Sequence, residues 1–240
     1  MISAVIFDFD GIIVDSERLH FAAFSKVLAP RGKSFSWEEY VETFIGFDDR
    51  DTFRTACPNI SGAELNKLIT EKAAAFQHLL ETEGAPALPG AAELIKKLSG
   101  SIPIAICSGA LREDIMPVLV SLGIDNAFDA IVTADDTHIS KPDPAPYRLA
   151  MERLAVDAPD GRGITRRAAA STDTRRPAAS TGVEFAVAIE DTPAGIASAK
   201  GAGLRVLAVT NSYEKEALKQ ADRIVDSLEG LTLEKLHEIF

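Results

Sequence analysis

Short apolar runs and amphipathic stretches alternate along most of the chain. The apolar runs are rich in β-branched residues and end at polar, glycine or proline residues, as strands buried on both faces do. Between them, apolar residues recur at helical spacing. The predicted strands are Ile2–Phe7, Ile102–Cys107, Ala130–Val132, Phe185–Ile189 and Arg205–Val209. The predicted helices between them are Ala91–Leu98, Asp114–Leu122, Ala145–Leu154 and Ala194–Lys200. This alternation predicts an α/β fold with a Rossmann-like parallel sheet.

The alternation is interrupted between residues 16 and 86. This stretch contains no convincing strand, and its helical segments are Glu17–Leu28, Trp37–Phe44 and Ala63–Leu80. About seventy residues are too many for an ordinary connection and enough for a small inserted domain. We therefore predict a core formed by residues 1–15 and 87–240, with an α-helical cap domain at 16–86 that lies over the strand ends. Proline and glycine residues near position 90 mark the return to the sheet.

A second interruption covers residues 157–182. It contains two near-copies of one sequence, TRRAAAST at Thr165–Thr172 and TRRPAAST at Thr174–Thr181. Almost no large apolar side chain is present, so little buried surface would offset the entropy cost of ordering the backbone. We expect a poorly ordered, flexible surface insertion. The alternative is that its arginines contact an anionic partner.

The acidic composition narrows the set of partners. The formal net charge of −11 disfavours nucleic acid and anionic membrane surfaces. An anionic small molecule would bind only where the site supplies positive charge, such as a metal ion or a lysine. No apolar run approaches the roughly 20 residues that span a bilayer, and the first residues do not resemble a signal peptide. Two cysteines, Cys57 and Cys107, fit a reducing compartment. We expect a cytoplasmic monomer or weak dimer.

The first predicted strand ends in two carboxylates. Asp8 and Asp10 are two residues apart, so their side chains project to the same side of the chain. Gly11 permits a tight turn directly after them. On its own, this pattern fits a catalytic pair or a strand-terminal pair that only caps the next helix.

Three further strand ends carry polar groups. Ser108 and Gly109 follow the second strand and offer a hydroxyl and backbone N–H groups to a phosphate. Lys141 follows the third strand in a loop flanked by prolines, and Glu190 and Asp191 follow the fourth. Because the carboxyl ends of parallel strands meet at one edge of a sheet, we expect all of these groups to converge there.

The combined pattern resembles that of a known family. The matching motifs are Asp8-x-Asp10, Ser108, Lys141 and Glu190-Asp191. They are similar to those of the haloacid dehalogenase superfamily, in the branch of phosphotransferases with an inserted helical cap that includes phosphoglycolate phosphatase-like enzymes and β-phosphoglucomutase. The similarity covers the whole chain except residues 157–182.

The resemblance implies a chemical role for the residues at the strand ends. Asp8 would attack phosphorus and become an aspartyl phosphate, while Asp10 would act first as acid and then as base. Lys141, the Ser108 hydroxyl and the turn at Gly109 would bind the phosphate oxygens on which charge develops.

The resemblance also implies Mg²⁺ as the cofactor. Its expected ligands are Asp8, Asp191 and the backbone carbonyl of Asp10, since magnesium prefers oxygen ligands and keeps several waters. Glu190 would bind the ion directly or through water. An alternative for Glu190 is that it only orients Asp191 or the lysine.

The predicted cap contains weaker candidates for substrate binding. His20 matches a histidine that contacts the second acid and the substrate side in β-phosphoglucomutase-like enzymes, although an ordinary surface histidine fits equally well. Gly46 and Arg50 resemble the cap loop that grips the far end of the substrate, but the arginine comes one place later than in the mutase pattern. Lys72 is interpreted as a solvated helix lysine, and His138 as solvent-facing.

Two functions use all of these residues. A phosphatase would transfer the phosphoryl group to water, whereas a hexose-phosphate mutase would return it to a sugar hydroxyl, and sequence motifs do not report how well a cap excludes water. A catalytically inactive binding module would be expected to lack Asp8, Asp10 or Asp191, and a dehalogenase would not need Asp10. We therefore predict Mg²⁺-dependent hydrolysis of a small phosphate monoester, such as a sugar phosphate or a phosphoglycolate-like compound, with the mutase as the alternative.

Overall fold

A six-stranded sheet forms the centre of the protein. The computed structural model describes residues 1–156 and 184–240. Every neighbouring pair of strands is parallel, and the order across the sheet is β3-β2-β1-β4-β5-β6. The strands are β1 Ile2–Phe7, β2 Ile104–Cys107, β3 Ala130–Val132, β4 Phe185–Glu190, β5 Arg205–Val209 and β6 Arg223–Val225. The predicted α/β fold is therefore confirmed. The predicted insertion at 157–182 lies outside the described residues.

The position of β1 decides where the strand-end residues meet. β1 lies between β2 and β4, with Phe7 opposite Ile106 on one side and Ile189 on the other. The chain builds β2 and β3 on one side of β1 and returns to build β4 to β6 on the other. The carboxyl end of β1 therefore lies at the topological switch point, where open parallel sheets form their ligand sites.

Four helices occupy the stretch between β1 and the return to the sheet. They are α1 Glu17–Leu28, α2 Trp37–Thr43, α3 Asp49–Ala56 and α4 Gly62–Glu83, with a 3-10 turn at Ala29–Arg31. They share a hydrophobic cluster in which Phe24, Phe53 and Leu68 are buried. The Gln77 side chain of α4 donates to a carboxylate oxygen of Asp114 at 2.7 Å, which links this helical layer to the rest of the chain.

Five further helices cover the two faces of the sheet. They are α5 Ala91–Leu98, α6 Arg112–Leu122, α7 Ala145–Leu154, α8 Pro193–Gly201 and α9 Leu233–Ile239. Side chains of β1 alternate between two clusters: Phe7 packs with α5, α6 and α9, whereas Ile6 packs with α7 and α8. None of the helices in the described ranges has both the length and the apolar character needed to cross a membrane.

Several elements differ from the sequence prediction. α3, α9 and β6 were not predicted, and β2 begins at Ile104 rather than Ile102. Pro103 explains the later start of β2, because it has no N–H to donate to a neighbouring strand. Its carbonyl still accepts a hydrogen bond from the N–H of Val5 at 3.1 Å. β4 extends one residue further than predicted and includes Glu190.

Candidate active site

The strand-end residues converge around one lysine. The ammonium group of Lys141 lies 2.9 Å from Oδ1 of Asp8 and 2.6 Å from Oε1 of Glu190. Asp8 is fixed by the ends of β1 and β4, since its N–H donates to the carbonyl of Ile189 at 3.0 Å. Burial alone would lower the pKa of Lys141, but the charges of Asp8 and Glu190 hold that pKa well above its usual value. The lysine is therefore a permanent cation, held in a buried position by two carboxylates.

Three buried carboxylates meet beside this lysine. Oxygen atoms of Asp8, Glu190 and Asp191 all lie within 4.8 Å of one another. Glu190 also accepts a hydrogen bond from the hydroxyl of Tyr147 at 2.7 Å, so Tyr147 and the lysine together fix its Oε1. Three acids and one lysine leave an excess of negative charge in a buried place, which a cation would offset.

The carboxylate cluster fits a magnesium ion. Oδ2 of Asp191 accepts a hydrogen bond from the Ser212 hydroxyl. Oδ1 of the same residue is buried and has no hydrogen-bond partner in the described residues. An unpartnered buried carboxylate oxygen beside two other acids is the donor type that a hard divalent cation requires. The side chain of Asp10 is not part of the cluster.

Burial and mutual repulsion perturb the acids of the cluster. Burial, followed by the charge of Glu190, raises the pKa of Asp8 to about 8 despite the opposing effect of Lys141. Burial and the charge of Asp8 raise the pKa of Asp191 well above its usual value. A bound cation reverses this effect, because it favours the ionised form of every carboxylate around it.

Asp10 belongs to a separate network that reaches the helical layer. The hydroxyl of Ser16 donates to its Oδ1, and Nε2 of His20 lies 3.1 Å from the same oxygen. Lys72 donates to Nδ1 of His20 at 2.9 Å, so the proton of a neutral His20 lies on Nε2 and is donated to Asp10. The hydroxyl of Ser108 lies 3.5 Å from Oδ2 of Asp10.

This network makes Asp10 a stronger acid than an ordinary aspartic acid. Burial alone would raise the pKa of Asp10, but His20, the Ser16 hydroxyl and the charge of Lys72 together hold it below its usual range. His20 is buried and stacks on the ring of Phe76 with a centroid distance of 4.2 Å. It is therefore not an ordinary surface histidine.

Lys72 is buried, so the interpretation of this residue as a solvated helix lysine is wrong. Its ammonium group pairs with Oδ1 of Asp49 at 2.7 Å and lies 4.9 Å from the ring centroid of Phe24. The sequence contains a usable signal, because Leu65, Leu68, Lys72 and Phe76 follow helical spacing along the buried stripe of α4. A lysine in such a stripe requires a buried acidic partner.

The side chain of Arg50 contacts the loop before Lys141 and does not line the cavity around Asp8. Its guanidinium lies 2.9 Å from Oδ2 of Asp48 and donates to the carbonyl of Thr137 at 3.1 Å. A second contact joins it to Nδ1 of His138 at 3.3 Å. Arg50 therefore connects the start of α3 to the loop before Lys141. Gly46, in contrast, lines the cavity around Asp8 and approaches Thr192.

The cavity around Asp8, called the main cavity below, has a volume of about 630 Å³. It lies between the strand ends and the helical layer and is open to solvent. On the sheet side it is lined by Asp8, Asp10, Gly109, Ala110, Ser140, Lys141 and Thr192. On the other side it is lined by Glu17, His20, Phe24, Tyr40, Gly46, Phe47, Asp48 and Asp49. Ser108 and Arg50 line a smaller neighbouring cavity of about 240 Å³, which shares Gly109 and Lys141 with the first.

Cys107 precedes Ser108 and is fully buried. Burial raises the pKa of its thiol to about 12. The thiol is therefore protonated at neutral pH and takes no part in the chemistry of the site.

The architecture and the strand-end acids together define a class of protein: an α/β enzyme with a buried acidic site at the switch point of a parallel sheet. Residues 5–160 match the family model described as haloacid dehalogenase-like hydrolase. The chain belongs to this family. The resemblance predicted from the motifs is therefore confirmed.

The curated relatives of the chain include a phosphatase and a phosphoglucomutase. The chain is 30% identical to protein CbbY of Cereibacter sphaeroides, over 96% of this chain and 94% of the relative. It is 29% identical to β-phosphoglucomutase of Bacillus subtilis, over 98% and 94%. It is 26% identical to validoxylamine A 7′-phosphate phosphatase of Streptomyces hygroscopicus subsp. limoneus, over 95% of both chains.

Solved structures show the same fold. A mutant of CbbY from Rhodobacter sphaeroides in complex with xylulose-(1,5)-bisphosphate superimposes with a TM-score of 0.79 at 25% identity, and the match covers 98% of this chain and 99% of that one. The β-phosphoglucomutase of Clostridium difficile also gives a TM-score of 0.79 at 25% identity, over 99% and 96%.

Proposed function

We propose that this enzyme hydrolyses a small phosphate monoester through an aspartyl phosphate on Asp8. One observation carries the proposal: Asp8 lies at the switch point of the sheet, with Lys141 at 2.9 Å and the acids of Glu190 and Asp191 within 4.8 Å. A carboxylate nucleophile at this place is held by a cation that also attracts the phosphate oxygens.

The first step forms the phosphoenzyme. An oxygen of Asp8 bonds to phosphorus while the bond between phosphorus and the ester oxygen breaks. Asp10 gives its proton to the departing oxygen, which leaves as an alcohol. Without substrate, Asp10 is ionised because its pKa is low. The negative charge of an incoming phosphate raises that pKa, so the acid form of Asp10 is present when the departing oxygen takes its proton.

The second step releases phosphate. Asp10, now ionised, takes a proton from water as the water oxygen bonds to phosphorus and the bond to Asp8 breaks. His20, Ser16 and the buried Lys72 keep the Asp10 carboxylate in one orientation for both steps. The low pKa of Asp10 suits its return to the ionised state.

Magnesium is the proposed cofactor of this chemistry. Asp8, Asp191 and the backbone carbonyl of Asp10 would hold it, with Glu190 as a direct or water-mediated ligand. Bound there, it would neutralise charge on the carboxylates and on the phosphate oxygens. Lys141, the Ser108 hydroxyl and the N–H groups near Gly109 complete the phosphate site.

The helical layer at 16–86 is proposed to act as a cap that selects the substrate. Its residues form one wall of the cavity, and the aromatic faces of Phe24, Tyr40 and Phe47 suit the carbon face of a sugar. The similarity to a phosphorylated carbohydrates phosphatase of Thermotoga maritima, 27% identical over 92% of both chains, supports a sugar phosphate.

A hexose-phosphate mutase is the second candidate, supported by the similarity to β-phosphoglucomutase. It would use the same phosphoenzyme and transfer the phosphoryl group to a sugar hydroxyl instead of water. The two functions differ in their products, so product analysis separates them.

The test is a panel of phosphate esters with Mg²⁺, including β-glucose 1-phosphate and p-nitrophenyl phosphate. Inorganic phosphate and isomerised sugar are both measured. We expect phosphate release that Asp8→Asn abolishes and that the exposed control Asp226→Asn leaves unchanged. Isomerised product without phosphate would establish the mutase. Turnover by Asp8→Asn at the normal rate would overturn both functions.

A further inference from the structure

The wall of the cavity that faces the strand ends is rich in hydrogen-bond acceptors. We call the residues of α1 to α3 and of the 44–48 loop that line the cavity the cap-side wall. It presents the carboxyl groups of Glu17, Asp48 and Asp49 beside aromatic rings. In the described part of the chain, no lysine or arginine lines this wall. Lys141, on the opposite side, is already paired with Asp8 and Glu190.

The cations near this wall are neutralised by its own acids. Arg50 is paired with Asp48 and bonded to the carbonyl of Thr137, on the side away from the main cavity. Lys72 is buried behind the wall and paired with Asp49. Neither side chain is free to receive an anionic group from the cavity.

The start of α3 offers no anion site either. Helix N-termini attract anions through unbonded N–H groups. Here the Asp48 side chain occupies that position, since its Oδ1 accepts from the N–H of Asp51 at 2.8 Å. The first turn also contains Asp49 and Asp51, which place negative charge where a phosphate would otherwise bind.

Asp49 additionally has an unused acceptor. Its Oδ1 is paired with Lys72, while its Oδ2 is buried without a hydrogen-bond partner. A buried carboxylate oxygen is stabilised by a donor, such as a hydroxyl of a bound ligand. A phosphate dianion has no proton to donate to this oxygen, and it gains no free cation here because Lys72 is already paired with Asp49.

On the basis of the proposed function, we infer that the substrate carries a single phosphate and that its other end is uncharged and rich in hydroxyl groups. Asp49 is the residue that excludes a second phosphate. The phosphate to be transferred occupies the side of Lys141, and the remainder of the molecule meets the cap-side wall. The chain then differs from its structural neighbour CbbY, which was solved with a bisphosphate.

Exclusion of a second phosphate also separates the two candidate functions. A mutase that returns the phosphoryl group to a second hydroxyl of a sugar monophosphate forms a bisphosphate inside the cavity. One phosphate of that intermediate would have to lie against the cap-side wall. Exclusion of a second phosphate therefore favours transfer to water.

The experiment compares kcat/KM for matched sugars that carry one or two phosphates. The pairs are β-glucose 1-phosphate with β-glucose 1,6-bisphosphate, fructose 1-phosphate with fructose 1,6-bisphosphate, and xylulose 5-phosphate with xylulose 1,5-bisphosphate. In each pair that is turned over, we expect kcat/KM for the bisphosphate to be at least about tenfold lower than for the monophosphate. We expect this gap in kcat/KM to narrow in high salt, because salt screens the charges. Equal or better use of the bisphosphate would overturn the inference.

Two variants test the wall itself. Asp49→Asn removes a negative charge and leaves the positive charge of Lys72 unpaired. The ratio of kcat/KM for the monophosphate to kcat/KM for the bisphosphate should therefore fall about tenfold. Glu17→Gln should lower this ratio less. The control Glu216→Gln changes the net charge equally at an exposed place and should leave the gap unchanged. If Asp49→Asn does not fold, Glu17→Gln decides, and an unchanged gap overturns the inference. If the wild-type enzyme instead hydrolyses none of the phosphate esters, not even p-nitrophenyl phosphate, the proposed function is overturned.

Discussion

A Cβ atom placed on Gly11 would lie 1.9 Å from Oδ2 of Asp191. Gly11 has a φ of +72°, so the tight turn after Asp10 also requires the left-handed backbone that glycine adopts readily. The loop after β1 and the acid after β4 are thus in direct contact through the space that a side chain would fill. The position of one proposed magnesium ligand depends on the absence of atoms at Gly11.

Replacement of Gly11 tests this contact. We expect Gly11→Ala to push Asp191 aside and to lower kcat/KM for p-nitrophenyl phosphate by about 100-fold, as misplacement by about 1 Å does in other sites. Gly100→Ala is the matched control, because Gly100 also has a positive φ, of +74°, but has no atom within 4 Å of the added Cβ. Similar activity of the two variants would show that the contact is unimportant.

Replacement of Asp10 should affect substrates according to their leaving groups. An alkoxide needs a proton as it departs, whereas p-nitrophenolate leaves readily without one. We expect Asp10→Asn to lower the release of phosphate from a sugar phosphate by about 1,000-fold and to lower that from p-nitrophenyl phosphate much less. Rates of the phosphorylation step are measured by rapid quench. Equal losses on both substrates would contradict the role of Asp10 as the acid.

Removal of magnesium should abolish activity and also lower stability. Without a cation, three buried carboxylates repel one another, so we expect added Mg²⁺ alone to raise the melting temperature of chelator-treated protein. Asp191→Asn should raise the Mg²⁺ concentration for half-maximal activity at least about tenfold. Asp226→Asn, at an exposed position, is the control. An unchanged magnesium requirement in Asp191→Asn would argue against Asp191 as a ligand.

The buried pair of Lys72 and Asp49 should behave as a unit. Lys72→Met removes one partner and leaves Asp49 without its cation, so we expect the free energy of unfolding to fall by about 3 kcal/mol. The double variant with Asp49→Asn should be less destabilised than the sum of the two single changes, as measured by urea unfolding. Additive effects would show that the two groups do not interact.

Asp136 gives a prediction of pH dependence. Burial alone would raise its pKa, but hydrogen bonds from Arg153 and Thr133 lower it to about 2. A depressed folded-state pKa contributes stability above the unfolded-state value near 4, and that stability is lost as pH falls toward 2. Asp136→Asn should therefore cost about 1 kcal/mol at pH 7 and almost nothing near pH 2. A difference that does not depend on pH would contradict this.

The strand-end residues could be predicted because each signal is local. A buried apolar run followed by an acid, a hydroxyl or a lysine identifies both a strand and the edge where it ends, and the parallel sheet brings Asp8, Ser108, Lys141 and Asp191 to that edge. α3 escaped prediction because its sequence, DDRDTFRTA from 48 to 56, contains a single large apolar residue. β6 escaped because its three residues begin with an exposed arginine and none of them is fully buried, so they do not form a buried apolar run.

The partners of long side chains could not be predicted in the same way. Lys72 pairs with Asp49, which lies 23 positions earlier on another helix, and Arg50 donates to the carbonyl of Thr137 beside the smaller cavity. Both contacts are determined by how the helical layer packs on the sheet, and no local pattern encodes that packing. The resemblance therefore indicated a cation at the far end of the substrate, whereas the wall proposed to meet that end contains Glu17, Asp48 and Asp49.

The burial of Cys107 also decides how the enzyme responds to oxidants. Peroxide and alkylating reagents attack thiolates, and a thiol whose pKa is about 12, in a strand with no solvent contact, offers almost none. Damage next to Ser108 and Gly109, the proposed phosphate site, is thereby avoided. Oxidative stress that inactivates thiol-dependent enzymes would leave this reaction centre chemically intact.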